Sequence, residues 1–149
     1  MERDKIKRMI IDIICYLFVL LFVYAAVNKV LEYQKFKSQI GQSQLLTAYA
    51  GFLAWFIPSI ELLIVILLLI ERTILIGLYA AFTIMLLFTC YIAVMLTMAA
   101  NVPCSCGGIL QKLGWEEHLI FNSVFVILGY LGITLQMKIR KKPDQFGFI

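Results

Sequence analysis

The sequence predicts an all-α fold, an integral membrane four-helix bundle of up-down-up-down topology with both termini cytoplasmic. Three observations predict it. Of 149 residues, 62% are hydrophobic and the mean hydropathy is +0.94, far above the roughly 45–50% apolar content of soluble domains. The apolar residues gather into four stretches, Met9–Val27, Leu45–Ile70, Ile74–Ala100 and His118–Met137, and about 20 such residues suffice to cross the hydrocarbon core. The Lys and Arg residues, finally, fall unevenly between the segments that separate these stretches. A chain of this length accommodates one transmembrane domain, spanning residues 1–149.

The first stretch follows a basic segment and ends at Ala25-Ala26, as a signal peptide would. Its apolar run exceeds the roughly 7–15 residues of a signal peptide core, so it reads as a retained helix. The loop Asn28–Gln44 is amphipathic, with Val30, Leu31, Tyr33, Phe36 and Ile40 interleaved among Glu32, Lys35 and Lys37. It reads equally as a short interfacial helix and as a loop with aromatic anchors.

Helix two contains Pro58, which removes a backbone hydrogen bond, and carries Glu61 on the next turn. Glu71-Arg72-Thr73 is a tight turn into helix three. Gly129 and Gly132 of helix four are small enough to admit close helix packing. Cys15 and Cys90 stand inside helices without a motif and read as small buried apolar residues.

Arg3, Lys5, Lys7, Arg8, Arg72, Lys138, Arg140, Lys141 and Lys142 fall on one side; Lys29, Lys35, Lys37 and Lys112 fall on the other. The side richer in Lys and Arg is cytoplasmic. In a bacterium this describes a multi-pass inner (cytoplasmic) membrane protein, with the loop 101–117 facing the periplasm. The net charge of +4 is then a topology signal and calls for no nucleic acid.

That outer loop carries Pro103-Cys104-Ser105-Cys106-Gly107-Gly108. Cysteines two residues apart can come within the roughly 4.4–6.8 Å between Cα atoms that a disulfide requires. So small a ring is strained, and strained exposed disulfides are labile and oxidising. Cys104 and Cys106 therefore point to thiol–disulfide exchange in a compartment where disulfides persist. A structural disulfide would gain little from closing so short a loop. Soft-metal binding, of copper or zinc, remains an alternative, with His118 and Met98 as the only further ligands nearby.

Glu61 is the second candidate, because ionisable groups at membrane depth face a bundle interior or cavity. Its plausible partners are Asn28, Lys29 and Asn122, although Lys29 stands high above it unless helix one is drawn inward. Such a cluster relays protons, binds a polar headgroup such as a quinone carbonyl, or merely pins helices together. His118, the only histidine, suits proton transfer to or from a thiol. A lone interfacial histidine is more often a snorkelling surface side chain, and Trp115 before it reads as an interfacial anchor.

The order of these motifs is Asn28-Lys29, then Pro58 and Glu61, then Pro103–Gly108, then Trp115, His118 and Asn122. Over nearly the whole chain it resembles the MauE branch of the DoxX-like family of small four-helix membrane proteins. The resemblance implies a redox-associated role beside a periplasmic thioredoxin-like or disulfide-containing partner, since MauE is linked to maturation of the disulfide-rich small subunit of methylamine dehydrogenase. It carries over Cys104 and Cys106 as the redox pair, and Glu61, Lys29 and Asn122 as motif positions without assigned roles. Membrane disulfide enzymes of the DsbB and vitamin K epoxide reductase groups use two cysteine pairs. The loop Asn28–Gln44 contains no cysteine, so a two-pair relay cannot run within this chain. A non-enzymatic membrane subunit or assembly factor is the competing reading.

Overall fold

The computed structural model describes residues 2–42, 46–98 and 114–141, and these are helical almost throughout. Helix α1 covers Glu2–Leu31, α2 Tyr33–Gln42, α3 Ala50–Leu69, α4 Ile74–Met98 and α5 Trp115–Arg140, with a single 3-10 turn at Thr47–Tyr49. Four of these helices are long and apolar enough to cross a membrane, and at most 33% of any spanning window is buried within the protein. The remaining side chains, among them Leu20, Leu63, Leu87 and Ile127, form an outward apolar surface. A helix that is apolar all round fits a lipid surrounding.

Helix α1 extends beyond the apolar stretch Met9–Val27 at both ends. Its charged first turns, with Glu2, Arg3, Asp4, Lys5, Lys7 and Arg8, continue the hydrogen-bonded helix ahead of the apolar run. Helix α5 likewise begins earlier than His118, so Trp115, Glu116 and Glu117 of the expected loop form its first turn. The Glu117 carboxylate accepts the backbone N–H of Gly114 at 3.2 Å, which satisfies one of the unpaired amides that open a helix. Of the two readings for the segment after helix one, the helix is correct. Glu32 N–H donates to Asn28 O and Phe36 N–H to Glu32 O, both at 2.9 Å, so α2 continues from α1 almost without a break.

Helices α1 and α3 pack together, as do α4 and α5, and the two pairs close through contacts of α3 with α4 and of α1 with α5. The main core unites Ile14, Phe18 and Phe22 of α1, Ile64 and Leu68 of α3, Leu78 and Met85 of α4, and Phe125 and Ile133 of α5. A Cβ on Gly132 would meet Leu78 at 3.2 Å and Ile14 at 3.3 Å, and one on Gly129 would meet Phe82 at 3.3 Å and Phe18 at 3.4 Å. These two glycines thus let α5 approach α1 and α4 closely.

Gly77 is tighter still. A Cβ there would lie 3.0 Å from the backbone nitrogen of Leu68. The turn between α3 and α4 is held by Thr73, whose hydroxyl donates to the carbonyls of Leu67 (2.9 Å) and Ile70 (3.2 Å). Across the same end, Arg140 Nη2 donates to Arg72 O at 3.2 Å. Hydroxyls within the spans bond back along their own helices, Ser59 to Trp55 O, Thr89 to Met85 O and Ser123 to Leu119 O. They therefore place no unpaired donor in an apolar surrounding.

A second, smaller core holds α2 against α3. Ile40 packs on Ala50 and Ala54, with Tyr33, Phe36 and Leu53 around them, and the Tyr33 and Trp55 rings lie 5.2 Å apart. One expectation needs correction. Cys15 is buried, but Cys90 is exposed on the outer surface of α4. In a spanning helix an apolar side chain is satisfied by lipid as well as by a core, so apolarity alone does not send Cys90 inward.

Candidate functional site

Helix α1 delivers Lys29 on its last turn, and α3 delivers Glu61 one turn after Pro58. The Lys29 ammonium donates to Glu61 Oε1 at 2.6 Å. The Glu61 side chain is 1% exposed and that of Lys29 21%, so the carboxylate is sealed in the protein while the lysine side chain is partly open. Lysine's long apolar stem permits this, letting the charge travel inward from the end of the helix. A carboxylate taken out of water needs an opposite charge. Removing one partner of such a pair typically costs about 3–5 kcal/mol.

Aromatic rings surround the ammonium. Nζ lies 5.7 Å from the ring centroid of Phe36 on α2 and 5.7 Å from that of Phe88 on α4. Phe36 follows Lys29 by seven residues along the nearly continuous α1–α2 helix, a spacing that places both on one face. Both contacts fall within the range of cation–π attraction. Glu61 Oε2, by contrast, is buried and has no hydrogen-bond partner among the described residues.

Helix α5 adds two polar residues at this end. His118 is half-buried near the start of α5. Asn122 lies one turn deeper on the same face and is 5% exposed. Of the residues singled out from sequence, Lys29 and Glu61 meet directly, His118 is half-buried near the start of α5, and Asn122 is buried on the same helix. Cys104 and Cys106 lie outside the described residues, as does most of the loop 101–117. The segment that carries them leaves α4 at Met98 and returns before Trp115, hence from the end of the bundle where His118 stands. Phe36 and Phe88 were not anticipated. The spacing from Lys29 could have revealed Phe36; Phe88 carries no signal in sequence.

The opposite end of the bundle has a groove of about 220 Å³ bordered by Asp12, Cys15, Tyr16, Leu68 and Glu71. Among the described residues no group of three or more His, Cys, Asp or Glu could hold a metal ion. The soft-metal alternative therefore rests on Cys104 and Cys106, outside them.

Four spanning-length helices around a sealed lysine–glutamate pair define a small multi-pass membrane protein with a polar centre toward one end. The family model for methylamine utilisation protein MauE matches residues 7–135, and the chain belongs to that family. No curated protein and no solved structure matches the chain significantly. Membership in the MauE family gives the protein a membrane accessory role in methylamine utilisation.

Proposed function

We propose that the protein serves this accessory role by thiol–disulfide exchange between Cys104–Cys106 and a periplasmic thioredoxin-like or maturing disulfide protein. The observation that carries the reading is the Pro-Cys-x-Cys-Gly-Gly sequence between two spanning helices, inside the segment matched by the family model. In the exchange a thiolate attacks the disulfide through a mixed-disulfide intermediate. One pair gains two electrons and two protons as the other loses them, and the chemistry runs in either direction.

The reading includes an up-down-up-down topology in the bacterial inner membrane, both termini cytoplasmic. The tail residue Arg140 bonded to the turn residue Arg72 supports putting these two basic segments on one side. The wider placement within the DoxX-like group rests on the motif order alone. In this scheme His118, near the start of α5, takes up and returns the thiol proton, and the Lys29–Glu61 pair ties α1 to α3. His118→Gln keeps a hydrogen-bonding side chain but cannot titrate, and is expected to slow exchange on the order of a hundredfold.

The decisive experiment is alanine at both Cys104 and Cys106, with the partner's redox state read by acid-quenched alkylation and mass spectrometry. A shift in the partner's thiol-to-disulfide ratio supports exchange. An unchanged ratio with intact assembly and function leaves the non-enzymatic assembly factor, a reading that the family's accessory role also favours.

A further inference from the structure

Among the described residues the Lys29–Glu61 pair has unused hydrogen-bonding capacity on both members. An ammonium carries three donors, of which one goes to Glu61 Oε1, and its neighbours at 5.7 Å are the faces of Phe36 and Phe88. A carboxylate oxygen accepts more than one hydrogen bond, yet Glu61 Oε2 accepts none among the described residues while the side chain is 1% exposed. Buried polar groups are paired in the great majority of cases, and an unpaired one calls for an explanation.

We propose that this pair is the polar end of a binding site for a membrane-borne phenolic hydroxyl, the chemistry of a quinol headgroup. A hydroxyl answers both needs at once, donating to Glu61 Oε2 and accepting from Lys29 Nζ. A quinone carbonyl cannot do so, because it has no proton to give Oε2. The two phenyl rings beside the ammonium offer an aromatic ring faces and edges to pack on. The Lys29 side chain is 21% exposed while that of Glu61 is 1% exposed, so a ligand would reach the pair from the lysine side. Nothing in this binding requires Cys104 or Cys106.

The test is anaerobic titration calorimetry of the purified full chain in detergent, with duroquinol, duroquinone and dioleoylglycerol as probes. The expected result is binding of duroquinol about tenfold or more tighter than duroquinone, the ratio that one charge-assisted hydrogen bond supplies. Glu61→Gln replaces the accepting Oε2 by a donating amide and is expected to reverse that preference. Equal affinity for the two redox forms in the unmodified protein overturns the proposal, as does no binding of either, which would leave the oxygen to a structural water. Tighter binding of dioleoylglycerol overturns the phenolic assignment. Cys104→Ser/Cys106→Ser protein is expected to bind duroquinol unchanged, so failure of thiol exchange and failure of this site are separately visible.

Discussion

At the level of Ile14, Leu78 and Gly132 the bundle is closed by apolar contact alone, with glycine admitting its neighbours to within 3.2–3.3 Å of where a Cβ would stand. At the level of Lys29 and Glu61 it is closed by a single charged contact at 2.6 Å under aromatic rings. The first kind of contact has many small contributors, and each can be trimmed at moderate cost. The second concentrates its energy in two groups, so that either alone is a liability. Apolar contact builds the scaffold here, and the charged contact pins α1 to α3 at one place.

The largest effect expected from this contrast is that of Lys29→Met, which leaves the Glu61 carboxylate buried without a counter-charge. It should lower stability by about 3–5 kcal/mol in reversible mixed-micelle denaturation. Adding Glu61→Leu should restore most of the loss, because an apolar pair of similar volume is nearly neutral. Equal losses in the single and double variants would erase the contrast. Leu78→Ala, at a side chain 0% exposed, should cost about 3 kcal/mol by the same assay, with no rescue by changes at Lys29.

Gly77→Ala should cost about 1–3 kcal/mol, since the added methyl meets the backbone of Leu67 and Leu68 and a gain in helix propensity offsets only part of that. The smallest effect belongs to Cys90→Ala, within about 0.5 kcal/mol, as an exposed side chain outside both kinds of contact. A loss above 2 kcal/mol there would reveal a packed surface on α4.

The four apolar stretches and the glycines of α5 were legible because length and residue size are one-dimensional properties. Gly129 and Gly132 advertise close approach wherever they sit in a spanning helix. Glu61 was legible for a different reason, since a carboxylate amid leucines is costly in any fold. Its partner was harder to choose. Counting helical rise set Lys29 too high, because the count follows Cα atoms while the long lysine stem carries the charge inward. Phe88 was not legible at all, for the rotation of α4 about its axis decides which residue meets the ammonium. Cys90 shows the same indeterminacy, as nothing in an apolar helix distinguishes the lipid face from the core face.

Pro58 stands where the two cores meet. Having no N–H, it leaves Ala54 O without the usual rung of the helix ladder, and Ala54 belongs to the α2 core while Ile64 belongs to the main one. Mechanically, α3 is thereby two levers sharing a joint, the upper one loaded by α2 and the lower one seated in the bundle. Glu61 sits just below that joint, while Phe36, which covers its partner, rides above it. Bending at Pro58 would therefore lift the aromatic cover from the ammonium while Glu61 stays seated in the lower lever.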